Sequence, residues 1–312
     1  MFKKTYMHSL SYSFDEKSSV VDYYNASDLA SSREALLSAG YSDLLLSKTD
    51  LVEMLKSAAI KTLKCFSGLV DCVVIVSSSF VDFKEFEVSL ERMLEELCIG
   101  HAHVHLSTLS QCSNFSNSIS LCDALIKSDK YSNILLIFAD KFDSKTGPQR
   151  NLYDNSVLLS DGSAACIISN AHFGVSAYEV MGVDLYSDKS CRLLDASGFP
   201  SDALDASRRF IAAHKKLSTF LGEQHFDYLV TNNYSAETVA EIIDFLNPNF
   251  SVLYTASIEK YAHTYSADPI FSLSDLAQHL ECGNTALIAT TGVTSWGVVL
   301  LKYIEGRSSE TQ

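Results

Sequence analysis

The chain has 312 residues, 47% of them apolar and 20% charged, enough to bury one large core or two fused halves of about 150 residues each and too apolar for a disordered chain. Its formal net charge of -14 argues against a nucleic-acid partner, because gripping phosphate backbones calls for clustered Lys and Arg. The longest apolar runs, such as 134–139, are far shorter than the ~18 residues a membrane span needs, and no basic-then-apolar leader precedes them.

No clear period marks the first stretch of the chain. Residues 48–63 then read as a helix from the spacing of Leu51, Met54, Leu55, Ala58 and Ala59, and 72–76 (Cys-Val-Val-Ile-Val) reads as a buried strand. A second helix is predicted over 83–96, an alternating strand over 101–106, a polar turn over 107–114, a helix from there to Lys127, and an apolar strand over 134–139. Two short strands pivoting on Asp161-Gly162 follow within 157–168, and we read that dipeptide as a structural turn. The second half repeats the theme: helix 202–221, strand 228–230, helix 236–246, strand 251–254, helix 273–280, and a hairpin of 285–289 with 297–303. The tail 305–312 is polar and expected to fray. Strands alternating with helices predict a mostly parallel sheet covered on both faces, and two such rounds imply a layered α/β pseudo-duplicate.

Eight cysteines carry no paired spacing, and Cys72 and Cys166 sit in apolar runs, a pattern that suits a reducing cytoplasm. We therefore expect a soluble cytoplasmic protein. Cys112 differs from the other cysteines in position. It follows a strand and a polar turn and precedes a helix whose apolar face is Phe115, Ile119, Cys122 and Ile126. A thiol at a helix N-terminus faces unpaired backbone N–H groups, which favour the thiolate.

Four segments, in order, resemble the ketoacyl-acyl-carrier-protein synthase III branch of the thiolase superfamily. Residues 107–115 (Ser-Thr-Leu-Ser-Gln-Cys-Ser-Asn-Phe) are similar to the segment around that family's catalytic cysteine, and 159–166 (Leu-Ser-Asp-Gly-Ser-Ala-Ala-Cys) to its Phe-Gly-Asp-Gly-Ala-Gly-Ala motif. Residues 261–269 (Tyr-Ala-His-Thr-Tyr-Ser-Ala-Asp-Pro) resemble the segment in which acyltransferase-like members carry a histidine, and 283–285 with 291–297 resemble the closing strand pair. There are departures. Asn232 stands where synthase III proteins usually have a histidine, and His263 stands where they have an asparagine. Asn114 replaces a usual glycine.

The resemblance implies a pseudo-duplicated, five-layer α-β-α-β-α architecture, with residues 1–171 carrying the nucleophile and 172–312 carrying its partners. It implies catalysis by Cys112, with His263 as its base and Asn232, or its neighbour Asn233, donating to an oxyanion. The backbone N–H of Cys112 and one from 292–294 would complete that oxyanion hole, while Asp268 either orients His263 or caps a helix before Pro269. Arg150 lies eleven residues before Asp161, the offset of an arginine that packs against coenzyme A in relatives, although their partner tryptophan has no counterpart.

No cofactor is expected beyond coenzyme A or phosphopantetheine as the thioester substrate. The expected partners are acyl-CoA or acyl carrier protein and a second subunit, in a homodimer or a heterodimer. His101, His103 and His105 alternate on one strand face, and we read them as an interface, with no metal site, because nothing completes a coordination shell. The leading function is acyl transfer through a Cys112 thioester in specialised metabolism. A carbon–carbon condensing enzyme, a silent partner subunit, and a redox-sensing or hydrolytic protein using the same elbow stay open.

Overall fold

The computed structural model describes residues 3–25, 31–79, 83–142, 150–188 and 203–306. Among them, ten strands join one sheet: β1 (Tyr6–Ser13), β2 (Cys72–Val76), β3 (His103–Ser107), β4 (Asn133–Asp140), β5 (Gly162–Ser169), β6 (Ala177–Ser187), β7 (His225–Thr231), β8 (Asn249–Tyr254), β9 (Thr285–Thr291) and β10 (Ser295–Ile304). The order across the sheet is β8-β7-β9-β10-β6-β1-β5-β4-β2-β3. The first five and the last five strands thus share one internal order, and the two sets meet at the antiparallel β1–β6 pair. In each set the fifth strand runs antiparallel to its neighbours, and the second, third and fourth run parallel.

Six main helices cover these strands: α1 (Leu51–Lys64), α2 (Phe83–Glu96), α3 (Asn114–Lys127), α4 (Ala203–Leu221), α5 (Ala236–Leu246) and α6 (Asp268–Leu276). The alternation of side chains along the strands decides what lies between them. In β2, Cys72, Val74 and Val76 point into a central core, while Val73 and Ile75 point into an outer one. The central core gathers Phe138 of β4, Ile288 of β9 and Val299 of β10 around Phe115 and Ile119 of α3 and Ile270 and Phe271 of α6. Both halves of the sheet therefore wrap the same two helices. One outer core packs β2 and β4 against Leu55 of α1 and Leu90 of α2, and the other packs β7 and β9 against Leu217 of α4 and Ile242 of α5. The layers run α1/α2, first-half strands, α3/α6, second-half strands, α4/α5, which is the expected five-layer architecture.

Local chemistry fixes the helix ends. Asp50 accepts from the Glu53 N–H at 2.9 Å to start α1, and Ser235 accepts from the Thr238 N–H at 3.3 Å to start α5. Asn247 ends α5 in the left-handed region, where asparagine costs little. No helix among the described residues is long and apolar enough to cross a membrane.

Four expectations need correction. The sheet is mixed and not mostly parallel, because five of its nine pairings are antiparallel. The unreadable opening stretch contains β1, and the segment after Asn170 contains β6. Both lose the two-residue period to a bulge, between His8 and Ser11 in β1 and between Val180 and Gly182 in β6. The helix expected over 273–280 begins earlier, at Asp268, because Pro269 is well suited to a first turn, and it gives way to a 3-10 turn at Ala277–His279. The expected start of α4 at Asp202 and the tail 307–312 lie outside the described residues.

Candidate active site

The site lies where the entrances of α3 and α6, the two central helices, face each other. Cys112 sits in the 3-10 turn Gln111–Ser113 that leads into α3, and its residue is half-buried. The strained position in this elbow is Gln111, at φ 49°, and not Asn114, whose φ of -57° is helical. Asn114 is a brace: its Oδ1 accepts from the Ser110 N–H at 3.1 Å and its Nδ2 donates to the Thr108 carbonyl at 3.2 Å. The Gln111 side chain accepts from the Val293 N–H at 2.9 Å and ties the elbow to the β9–β10 turn.

His263 is pinned from behind by the Asp-Gly segment. Its N–H donates to the Leu158 carbonyl and its own carbonyl accepts from the Ser160 N–H, both at 2.9 Å. Gly162 has no side chain because a Cβ there would lie 2.9 Å from Cγ2 of Thr264. The imidazole bridges two groups. Nε2 lies 3.1 Å from Sγ of Cys112, and Nδ1 lies 2.5 Å from Oδ2 of Asp268. Asp268 also accepts from the N–H and Oγ1 of Thr264, at 2.6 and 2.8 Å, and from the Asn233 N–H at 2.9 Å. His263 and Asp268 are fully buried. Burial alone would lower the imidazole's proton affinity, but the negative charge of Asp268 and of Cys112 outweighs it and pushes His263 up to about 10. The surroundings of the imidazole therefore favour its protonated form.

The two asparagines, expected to donate to an oxyanion, are both hydrogen-bonded within the protein. Asn232 is fully buried, and its Nδ2 donates to the carbonyls of Cys112 (3.4 Å) and Tyr265 (3.2 Å) and to Oδ2 of Asp268 (3.3 Å). Its Oδ1 accepts from the Thr291 N–H at 2.9 Å, so its amide ties together the walls of the site. Asn233 Nδ2 donates to the Ala262 carbonyl at 2.8 Å, and its Oδ1 accepts from Ser257 at 2.9 Å. Two of the backbone donors expected in the β9–β10 turn are also taken: the Gly292 N–H donates to Ser295 and the Val293 N–H to Gln111.

Arg150 likewise departs from its expected place against coenzyme A. It is buried, forms two hydrogen bonds of 2.9 Å to both oxygens of Asp161, and lies over the Phe142 ring at 4.7 Å. An identical offset along the chain says nothing of the direction in which a side chain points. Only two of the alternating histidines lie in β3, at the sheet edge, where His103 and His105 flank the Tyr131 ring at 5.7 and 6.2 Å; His101 lies in the turn before the strand and bonds the Val70 carbonyl. Among the described residues no three His, Cys, Asp or Glu side chains are placed to hold a metal ion.

Sequence reading missed two aromatic walls. The Tyr234 ring is 4.8 Å from the His263 ring and its hydroxyl donates to the Thr291 carbonyl, while the Tyr265 ring is 5.5 Å from His263 on another side. Burial, and then the charges of Cys112 and Asp268, push the Tyr234 phenol far up, so it stays neutral. Their adjacency to Asn233 and Thr264 was the available signal.

The fold is the one seen in thiolase-like proteins, and the chain is similar in sequence to ketoacyl synthase III proteins. Residues 108–189, which include Cys112, match the family of 3-oxoacyl-[acyl-carrier-protein] synthase III. The chain is 26% identical over 226 residues to the beta-ketoacyl-[acyl-carrier-protein] synthase III of Chlamydia caviae, a stretch that spans 64% of this chain and 66% of that protein. It is 23% identical over 274 residues to the Chlamydia trachomatis protein of the same name, covering 79% and 81% of the two chains. Among solved structures it superimposes on the acyltransferase ChlB3 with a TM-score of 0.79 at 14% identity, covering 97% and 98% of the chains. It superimposes on the 3-oxoacyl-(acyl carrier protein) synthase III of Pseudomonas aeruginosa with a TM-score of 0.74 at 16% identity, covering 98% and 100%. At these identities the structural likeness speaks for the fold alone.

Proposed function

We propose that the protein is a cytoplasmic acyltransferase of specialised metabolism that carries its acyl group as a thioester on Cys112. The observation that carries this reading is the chain of contacts from Cys112 Sγ to His263 Nε2, at 3.1 Å, and from His263 Nδ1 to Asp268, at 2.5 Å. The thiolate attacks the carbonyl carbon of an acyl thioester, forming a carbon–sulfur bond, and the coenzyme A or phosphopantetheine sulfur leaves with the proton of His263 Nε2. In the second half, Nε2 takes the proton of an acceptor O–H or N–H as that acceptor displaces Cys112, which leaves as the thiolate. Asp268 stabilises the imidazolium of the starting pair and, once Nε2 has given up its proton, holds the neutral ring with its proton on Nδ1.

Acyl transfer is preferred over carbon–carbon bond formation because Asn232 spends its amide on two carbonyls and Asp268. A condensing site needs donors aimed at an enolate oxygen. The names of the relatives favour the second reading, a condensing synthase, and the Cys112–His263 contact speaks against a silent partner subunit. Mass spectrometry after incubation with acyl-CoA decides between these. Acyl transfer is expected to leave an acyl adduct on the protein that a nucleophilic amine removes, with no carbon dioxide released from a malonyl thioester. Carbon dioxide release would establish the condensing reading, and no adduct at all would overturn both.

A further inference from the structure

The catalytic pair does not use the other fully buried carboxylate of this region, Asp140 at the end of β4. Its Oδ1 accepts from Ser77 Oγ at 3.1 Å, the Ser78 N–H at 2.6 Å and Ser79 Oγ at 2.9 Å, all in the loop that leaves β2. Its Oδ2 accepts from Ser266 Oγ at 3.2 Å. Ser266 lies in the 3-10 turn Tyr265–Ala267, inside the five-residue span from His263 to Asp268. The same β2 loop touches the nucleophile elbow, where Asn114 Nδ2 donates to Ser78 Oγ at 3.5 Å.

We propose that Asp140 is a positioning residue that sets the distance between Cys112 and His263 by clamping the His263 loop of the second half onto the nucleophile-bearing first half. Its partners among the described residues are hydroxyls and one N–H, with no cation, an arrangement suited to holding loops in register more than to neutralising a charge. Burial raises its carboxyl to about 6, against the pull of those donors, so at neutral pH it is an anion that keeps all four of them engaged. Ser266 is the only one of the four supplied by the second half, and it is fully buried. Other bonds tie the halves at Gln111, at Asn232 and at the His263 backbone, and Asp140 adds the tie that reaches the turn between His263 and Asp268; a displacement of about 1 Å at reacting groups costs up to about a hundredfold in rate.

This inference rests on reading Cys112 and His263 as the reacting pair, and the experiment separates the two. The rate of Cys112 alkylation by iodoacetamide is followed by peptide mass spectrometry between about pH 7 and about pH 9. Exposed Cys282 serves as the internal reference for alkylation of a solvent-reached thiol, and circular dichroism checks that each variant is folded. In the native protein the Cys112 rate should stay nearly flat with pH, and in His263→Ala it should rise through the ordinary thiol range near about 8.5. Ser266→Ala and Asp140→Asn should each slow alkylation at about pH 7 by roughly tenfold and bend the profile toward that of His263→Ala. The double variant should be no slower than Asp140→Asn. If both single variants keep the flat native profile while His263→Ala loses it, the clamp is wrong and the pair stands. If His263→Ala keeps the flat profile, the pair itself is wrong. Should Asp140→Asn fail to fold, Ser266→Ala, which deletes one hydroxyl, decides alone.

Discussion

The two halves of this protein share one strand order and place one helix each in the central layer, yet they bring opposite chemistry to the seam. The first half offers a half-buried thiol on a turn held by a strained Gln111 and braced by Asn114. The second offers a fully buried imidazole and carboxylate, enclosed by Thr264, Asn232 and Asn233. The difference shows what the duplication supplies. It supplies two helix entrances facing one another, while the nucleophile needs reach toward substrate and the acid–base pair needs a dry, fixed setting. Function in this fold comes from filling one geometry asymmetrically.

The sharpest way to break that contrast is to remove the group that only the first half has. Cys112→Ala is expected to abolish the acyl adduct and to lower turnover by about a thousandfold or more, read by intact-protein mass spectrometry and by thiol release. On the other side of the seam, Asp268→Asn is expected to cut the acylation rate by about a hundredfold or more, because the imidazole loses the anion that fixes its tautomer. A stopped-flow measurement of thiol release would show it.

Two further effects test stability instead of rate. Arg150→Met should lower unfolding stability by about 3 kcal/mol in urea titrations, since it leaves Asp161 buried with its ion pair gone, and should leave acylation of the folded protein unchanged. That result would separate Arg150 from any coenzyme A contact. The pH dependence of stability bears on the buried pair itself. His263 in the folded chain is raised from its ordinary 6.5 to about 10, so its contribution is fully present below about 6.5 and is lost as pH rises through about 10. Denaturant midpoints should fall across that window in the native protein and stay flatter in His263→Ala.

Much of this was legible in the amino-acid order, for reasons that differ by element. The strand Cys72–Val76 and the helices Phe83–Glu96 and Ala236–Leu246 fall where the pattern puts them, because a buried run or a 3.6-residue stripe survives any tertiary context. The strands Tyr6–Ser13 and Ala177–Ser187 did not, since a bulge in each reverses which side chains face inward. These are corresponding strands of the two halves, so the seam was the least readable part of the fold. Cys112, His263 and Asp268 announced themselves through short segments around them. The partners of Asn232 and Arg150, Thr291 and Asp161, were not legible because they depend on where side chains point. Asp140 gave no signal beyond ending an apolar strand.

The most direct measurement is the occupancy of acyl groups on the Cys112 peptide, followed in time for the native protein and for His263→Ala exposed to one acyl thioester. Rapid acylation of Cys112 in the native chain, slowed by about a hundredfold without the imidazole, is the expected result. Equal rates in the two proteins, or acyl groups gathered on exposed Cys65 or Cys282 instead, would contradict the account.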